Sequence, residues 1–134
     1  SYRGIENWFC NAYQWVDGIN INVGGTGNAH VTNNRADFAD DTSSNMTLIT
    51  SSWPTGNDYI VSLQDIDNYF APLSVTGGSS STYITDWSLG RTTNTLVVYV
   101  GGAASIGALA GAFFVGTDNS SVKAAREIGA RLAC

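Results

Sequence analysis

Residues 11–18, NAYQWVDG, set two large aromatic side chains two positions apart and follow them with an Asp-Gly pair. Because side chains alternate along a β-strand, Tyr13 and Trp15 would share one face of such a strand. Asp17-Gly18 has the composition of a turn. The stretch therefore predicts a strand that enters a turn and packs Tyr13 and Trp15 into the protein core.

The composition indicates one acidic domain. The chain has 134 residues, a length that suits a single hydrophobic core, and 43% of them are hydrophobic. The net charge is −5, so the chain lacks the basic footprint that binding to nucleic acid requires. No apolar run is long enough for a membrane-spanning helix, and we expect neither nucleic-acid binding nor membrane insertion. Because the opening SYRGIENW lacks the character of a signal peptide, we expect residues 1–134 to be one domain from the carboxy-terminal part of a longer chain.

Short runs of β-branched and aromatic residues, bounded by Gly, Asn, Asp or Pro, predict a mostly β structure rich in loops. The runs with strand character cover residues 19–23, 46–50, 59–63, 81–85 and 95–100. Residues 64–73, QDIDNYFAPL, favour one helical turn before Pro72. GAFFV, residues 111–115, predicts a further strand that precedes a polar loop.

Aromatic residues are numerous enough to build either a core or a sugar-binding groove, with four Trp, six Tyr and five Phe. The alternation around Trp8 and Trp15 favours core packing. Trp53, Tyr59 and Trp87 lie beside turns, and the sequence leaves both roles open for them.

Residues suited to catalysis or metal binding are few. His30 is the single histidine and has no partner signalled nearby, so we interpret it as an exposed or loosely packed side chain. Asp65, with Asp67 or Asp86, is the candidate carboxylate pair of a polysaccharide-cleaving enzyme. The spacing around Asp65 is not that of a calcium loop, and GGTGN (24–28) lacks the Lys of a phosphate-binding loop. We expect no catalytic site, no metal and no cofactor.

Cys10 and Cys134 lie near opposite ends of the chain, and the sequence permits either a disulfide or a reduced pair. Two Cys and one His are fewer than the four Cys or His ligands of a structural zinc site, so the composition argues against one.

Three segments resemble, in order, motifs of the formylglycine-generating-enzyme branch of the C-type-lectin-like fold. NAYQWVDG (11–18) is similar to its GNVWEW strand, VVYVGGAAS (97–105) to RVxRGGSW, and EIGARLA (127–133) to NIGFRLA. The resemblance implies an α+β, C-type-lectin-like fold with small twisted antiparallel β-sheets and long ordered loops. The reactive cysteines of that branch have no counterpart in residues 101–127, so its oxidative chemistry is not implied.

A resemblance over nearly the whole chain is to the carboxy-terminal domains of tail-fibre or tail-tip proteins of gut bacteriophages. It is carried by SYRGIEN (1–7), QWVDGININ (14–22), TGGSSSTYITDW (76–87) and the GGAAS and IGARL segments that begin at residues 101 and 128. Some of those domains are variable proteins of diversity-generating retroelements.

This second resemblance implies a receptor-binding adhesion domain of the virion tail rather than an enzyme. It further implies a homo-oligomer, a trimer, in the full-length protein, and a partner that is a receptor on the host cell surface, either protein or glycan. Assembly in the reducing cytoplasm of the host predicts that both cysteines are free thiols. A polysaccharide-degrading tail enzyme and a structural fibre cap are the alternatives.

A ligand-binding face is expected in the carboxy-terminal third. Gly101, Gly102, Gly107, Gly111 and Gly129 are expected to fix turns and close backbone approaches. Strand alternation is expected to turn Phe113 and Val115 inward and Phe114, Gly116 and Asp118 outward. The predicted ligand-binding residues are Ala103, Ile106, Leu109, Phe114, Gly116, Asp118, Lys123, Arg126 and Glu127, joined by Tyr99 and Trp87.

Overall fold

A computed structural model describes residues 12–22, 27–39, 42–66, 69–90, 95–125 and 128–129, and these residues are mostly β. The strands are β1 (Tyr13–Asn22), β2 (Asn28–Val31), β3 (Thr47–Thr50), β4 (Asp58–Tyr59), β5 (Ser62–Ile66), β6 (Tyr69–Ser74), β7 (Trp87–Gly90), β8 (Thr95–Val100), β9 (Val115–Asn119) and β10 (Ile128–Gly129). The helical content of these ranges consists of the 3-10 helices η1 (Arg35–Asp37) and η2 (Ala104–Leu109). Neither helix has the length or apolar character to cross a membrane.

Most strands belong to one sheet with the order β3-β2-β1-β8-β9-β7-β4, while β5 and β6 form a separate two-stranded sheet. Strand β1 pairs antiparallel with β8 along one edge. Its other edge pairs with β10 near Tyr13 and with β2 from Ile19 onward. The predicted sheet was antiparallel, but the β1–β10 and β7–β9 pairs are parallel, so the main sheet is mixed.

The turn predicted at Asp17-Gly18 is instead a bulge within β1. The pairing of β1 with β8 shifts register between Val16 and Asn20, and Gly18 has a φ of 81°. A side chain at Gly18 would overlap the carbonyl oxygen of Thr32, whose N–H donates to the Gly18 carbonyl at 2.8 Å. Val16 pairs with Val98 and Asn20 with Val97, so residues 17–19 are extra on β1, and this wide bulge interrupts the pairing without ending the strand, which continues to Asn22.

The buried side chains form two clusters. The aliphatic core contains Ile21, Trp53, Ile60, Leu96 and Val98, together with other buried residues. Trp53, whose role the sequence left open, is therefore a core residue.

The aromatic cluster contains Tyr13, Tyr99, Ala103 and Phe114, and half-buried Trp15 packs against it. The predicted core position of Tyr13 is confirmed, since the side chain is buried. Trp15 retains partial exposure but contacts Tyr99 edge-to-face, with ring centroids 5.5 Å apart. Trp8 and both cysteines lie outside the described residues.

Several predicted elements differ from those observed. Strands at 46–50 and 95–100 are confirmed by β3 and β8. The single strand predicted at 59–63 is divided between β4 and β5, because the backbone changes partners there: the Ile60 N–H donates to the Asp86 carbonyl and the Val61 N–H to the Ser74 carbonyl. Residues 81–85 are not a strand, since the Thr82 hydroxyl donates to the Ser79 carbonyl at 2.7 Å and closes a local turn.

The helical turn predicted before Pro72 is wrong, because residues 62–74 form the β5–β6 hairpin. Pro72 lies within β6, where its carbonyl accepts a hydrogen bond from the Gln64 side-chain amide at 3.1 Å. In a two-stranded sheet each strand has a free edge, so a proline without an N–H is tolerated there.

Candidate functional site

The segment with the predicted binding residues begins as a loop between β8 and β9, residues 101–114, here called the carboxy-terminal loop. Gly101 and Gly102 leave β8 with φ values of 91° and 70°, and Gly107 has a φ of 55° within η2. A side chain at Gly102 would lie 2.7 Å from Ala110 Cα, so the start and end of the loop touch at this glycine. The predicted roles of these glycines in turns and close approaches are confirmed.

Asp86 holds the far end of the carboxy-terminal loop. Its carboxylate is buried, and Oδ2 accepts a hydrogen bond from the Phe113 backbone N–H at 2.6 Å. The same carboxylate fills the space beside Gly111, where any side chain would overlap it. The Phe114 N–H donates to the Gly111 carbonyl at 3.2 Å and closes a turn over residues 111–114. A side chain just before β7 therefore fixes the backbone of the loop.

The orientation predicted for Phe113 and Phe114 is wrong. Phe114 is 1% exposed, whereas Phe113 is 55% exposed. The physical reason is that GAFFV is a turn up to Phe114, and strand alternation starts only at Val115, the first residue of β9. Phe114 instead packs against Tyr13 and Tyr99, with ring centroids 5.4 Å and 6.1 Å away.

Three further residues of the predicted face are also buried. Ala103 and Tyr99 belong to the aromatic cluster, and Gly116 lies under the Tyr99 ring, its cross-strand neighbour. For Gly116 the cause is the position of β9 between β8 and β7, where consecutive residues of β9 are buried instead of alternate ones. The expectation that Ala103, Tyr99 and Gly116 lie at the surface is therefore wrong.

The other predicted residues are at or near the surface where the structure describes them. Ile106 and Trp87 are half-buried and pack against the aromatic cluster from outside. Trp87 also contacts Tyr59 edge-to-face, with ring centroids 4.9 Å apart. Leu109 is half-buried and Lys123 is exposed. The predictions for Arg126 and Glu127 lie outside the described residues.

Asp118 is half-buried and takes part in a polar network between β8 and β9. It accepts hydrogen bonds from the Tyr99 hydroxyl and, at 2.8 Å, from the Asn119 side-chain amide. That amide also donates to the Tyr99 oxygen at 3.2 Å. Burial, and then the hydrogen bond to Asp118, raise the pKa of Tyr99 well above its ordinary value. The phenol therefore stays protonated and links the two strands, which is a structural role.

The outward side of the carboxy-terminal loop carries residues that the sequence reasoning did not select. Its exposed residues, here called the outer residues of the loop, are Ala104, Ser105, Gly107, Ala108, Ala112 and Phe113. Their own side chains make no hydrogen bond to another described residue. In the sequence these residues belong to a run of Ala, Ser and Gly between the glycine anchors. Such small residues occur at both buried and exposed positions, so the sequence alone does not indicate which of them are exposed.

The candidate carboxylate pair of an enzyme is not assembled by the described residues. Asp86 is buried and bonded to the loop backbone, whereas Asp65 is exposed on β5. Asp67 lies outside the described residues. Within the described ranges, no group of His, Cys, Asp and Glu is arranged to hold a metal ion.

A polar cavity of about 260 Å³ lies beside the β1 bulge, with Asp17, Asn20 and Phe38 among its lining residues. The Asn20 amide donates to the carbonyls of Ala39, at 2.6 Å, and Thr42, at 2.8 Å, and so holds the neighbouring loop. These bonds give the Asn20 amide nitrogen a structural role at the cavity wall.

Comparisons with protein-family models, curated proteins and solved structures found no match for this chain.

Proposed function

We propose that the chain is a receptor-binding adhesion domain of a phage tail fibre or tail tip, with a C-type-lectin-like fold. The fold assignment is supported by the placement of the three resembling segments. Tyr13 of β1 pairs with Ile128 of β10, and Gln14 pairs with Val100 of β8, so the segments are neighbours in one sheet. A shared scaffold explains why the motifs occur together although they are far apart in the sequence.

The observation that carries the proposal is the separation of anchors from outer residues in the carboxy-terminal loop. The backbone is fixed from inside by Gly102, by the Asp86 carboxylate and by the buried ring of Phe114. The outer side chains contribute nothing comparable to that framework. A loop of this kind keeps its conformation when its outer residues change, as a variable receptor-binding surface requires.

Several of the ligand-binding residues predicted from the sequence are buried. The proposed binding face therefore consists of the outer residues of the loop instead. Phe113 is its apolar centre, because it is the large exposed side chain of the loop. Ile106 and Leu109 are half-buried residues of the same loop, and Trp87 is half-buried and follows Asp86, which accepts the Phe113 N–H. Large apolar side chains surrounded by small and polar residues are typical of the energetic centre of a protein-binding surface. In a trimeric fibre, avidity would strengthen a modest affinity at each copy.

The proposal is tested by cell binding. The chain, fused to a trimerisation segment and fluorescently labelled, is measured by flow cytometry on a panel of gut bacterial strains. On a strain that the parent binds, Phe113→Ser is expected to reduce binding by about tenfold or more. Leu48→Ser is the matched control, because Leu48 is also exposed and apolar but lies on β3, at the opposite end of the sheet order from β4 and β7.

Both variants should melt within a few degrees of the parent, because each removes an exposed side chain. Equal cell binding by Phe113→Ser and the parent would place the binding face elsewhere. Failure of the parent to bind any strain in a panel that includes the phage's own host would contradict the adhesion function itself.

Diversification by a retroelement makes a separate prediction about sibling phages. Adenine-derived codon changes are expected at the outer residues, such as 105, 108 and 113, and not at the buried positions 103, 114 and 116. Changes spread evenly over both groups would contradict a diversified binding face built on this loop.

The fibre-cap alternative predicts a well-packed loop with no exposed aromatic residue, and Phe113, 55% exposed, favours adhesion over it. The enzyme alternative predicts a groove with two facing carboxylates. Asp86, the buried one of the two candidates that the structure describes, already accepts a hydrogen bond from the loop backbone.

A further inference from the structure

The wide bulge in β1 forms one wall of the polar cavity, whose volume is about 260 Å³. Residues 17–19 have no partner on β8, and the first of them, Asp17, is exposed. Bulges are common beside functional sites, where they change the direction of a side chain. This bulge places an exposed carboxylate at the wall of the cavity.

A second wall is formed by Phe38 and Ala39, which are held against β1. The Phe38 ring contacts the backbone of Gly18, where a Cβ would lie 3.0 Å from Phe38 Cε1. The amide of buried Asn20 donates to the Ala39 carbonyl at 2.6 Å. The remaining surface of Phe38, 38% of the side chain's accessible area, stays exposed. The aromatic ring and the Asp17 carboxylate are therefore presented to one preformed cavity.

The charge of the cavity has one sign. Among the described residues that line it, Asp17 is the single charged one, and the others are Val16, Gly18, Asn20, Phe38, Ala39 and Val97. The Asp17 side chain makes no hydrogen bond or ion pair with a described residue. Clefts lined by charge of one sign concentrate ions of the opposite sign. An unpaired carboxylate at this wall therefore favours a cationic ligand.

The other lining groups indicate an organic cation. An aromatic ring attracts an ammonium group through its face. A calcium ion would need six to eight oxygen ligands, and no group of His, Cys, Asp and Glu in the described ranges is arranged to hold a metal ion. A sugar would need donors for its hydroxyl oxygens, but the Asn20 amide already donates to the carbonyls of Ala39 and Thr42.

We propose that this cavity binds an alkylammonium group of the size of a lysine side chain, with the ammonium shared between the Asp17 carboxylate and the Phe38 ring. A cavity of about 150 Å³ holds benzene, so one of about 260 Å³ has room for the four-carbon stem and ammonium of lysine. None of the lining residues that the structure describes belongs to the carboxy-terminal loop, so this site is separate from the proposed receptor-binding face.

The proposal is tested with two matched probes, Nα-acetyl-lysine methylamide and Nα-acetyl-norleucine methylamide, which differ by the terminal ammonium group. Binding to the isotope-labelled chain is followed through backbone amide signals in NMR spectra. We expect saturable binding of the lysine probe with a dissociation constant below about 10 mM, and binding of the norleucine probe about tenfold weaker or more. The signals that shift should be those of residues 16–20 and 37–39.

Two variants assign the binding to the cavity. Asp17→Asn should weaken binding of the lysine probe about fivefold, whereas Asp65→Asn, which removes the same charge from exposed β5, should leave it unchanged. Phe38→Leu should weaken the same binding about twofold to fivefold. Its control is Phe113→Leu, because Phe113 is exposed but lies on the carboxy-terminal loop.

Two further measurements accompany the variants. Raising the sodium chloride concentration from about 20 mM to about 500 mM should weaken binding of the lysine probe to the parent protein and should not weaken binding of the norleucine probe. This comparison needs no variant, so it decides the matter if Asp17→Asn fails to fold. Equal affinity for n-butylammonium would show that a free alkylamine suffices, and tighter binding of the lysine probe would identify a lysine of a peptide or protein.

Four results would overturn the proposal. The first is no saturable binding of the lysine probe. The second is equal affinity for the norleucine probe, and the third is unchanged affinity in folded Asp17→Asn. The fourth is binding of methyl α-glucoside, but not of the lysine probe, at the same amide signals, which would make the cavity a sugar site. None of these results bears on receptor binding by the carboxy-terminal loop, because no cells take part in the assay.

Discussion

The phenol ring of Tyr99 lies directly against the backbone of Gly116, its cross-strand partner on β9. Any side chain at residue 116 would overlap atoms of that ring. Tyr99 lies just before the carboxy-terminal loop and Gly116 just after it, so this contact closes the base of the loop. The hydrogen bond from the Tyr99 hydroxyl to Asp118 strengthens the same connection.

Gly116→Ala is therefore expected to lower the free energy of unfolding by about 1–3 kcal/mol, the usual range for overpacking a core. Gly56→Ala is the control, because a Cβ there would meet only Val75 Cγ2 at an ordinary 3.8 Å. Chemical denaturation of both variants gives the comparison. A Gly116→Ala protein as stable as Gly56→Ala would show that Tyr99 does not lie against Gly116.

Adjacent phenylalanines provide a test of the loop conformation. Phe114→Ala should cost about 3–5 kcal/mol, as for other buried large aromatic residues. Phe113→Ala should change stability much less, because the Phe113 side chain is 55% exposed. Urea denaturation distinguishes them, and a larger loss for Phe113→Ala than for Phe114→Ala would mean that strand alternation extends through residues 113 and 114.

Asp86 makes a separate prediction about how the carboxy-terminal loop is held. Asp86→Ala leaves the Phe113 N–H without its acceptor, and the expected loss of stability is about 1–3 kcal/mol. Asp86→Asn keeps an oxygen acceptor of similar shape, so its loss should be smaller. Hydrogen exchange at the Phe113 amide should accelerate in Asp86→Ala, and unchanged exchange there would show that Asp86 does not anchor the loop.

His30, on β2, gives the protein a pH dependence of known sign. Burial lowers its pKa, and its buried Nδ1 has no hydrogen-bond partner among the residues that the structure describes. Below about pH 6.5 the His30 imidazole is therefore protonated in the unfolded chain but remains neutral in the folded protein until the pH falls further. Stability should be fully present above that pH and should decrease as the pH falls below it.

Because His30 is the single histidine, His30→Gln should make the stability change less between about pH 7.5 and pH 5.5. Leu73→Gln, an exposed substitution on β6 of the separate two-stranded sheet, is the control and should keep the pH dependence of the parent. Equal pH dependence in the parent and His30→Gln would contradict a lowered pKa at residue 30.

Some strands of the fold could be predicted from the local sequence. Residues 95–100 are rich in β-branched and aromatic residues and form β8 as predicted. The hairpin of β5 and β6 was missed because Pro72 normally ends regular structure, and only the free edge of a two-stranded sheet permits it there. Strand β7 was missed because WSLG carries little strand signal of its own and depends on its parallel partner β9.

The candidate site also has features that could be predicted from the sequence and features that could not. The glycine anchors of the carboxy-terminal loop were predictable, because composition alone indicates positive φ angles and close approaches. The orientation of Phe113 and Phe114 was not, since it is set by a hydrogen bond from Phe113 to Asp86, which is 27 residues away. A local sequence pattern does not indicate a contact between residues so far apart. The prediction therefore applied strand alternation to residues 111–114, which form a turn.

A library that substitutes every residue from 99 to 125, sorted once for folding and once for cell binding, tests the binding face most directly. Substitutions at Gly102, Gly111, Phe114 and Gly116 should be lost in the folding sort. Substitutions at Ser105, Ala108, Ala112 and Phe113 should pass the folding sort and be depleted in the cell-binding sort. A library in which outer residues are neutral in both sorts, or in which binding is lost only where folding is lost, would contradict the carboxy-terminal loop as the receptor-binding face.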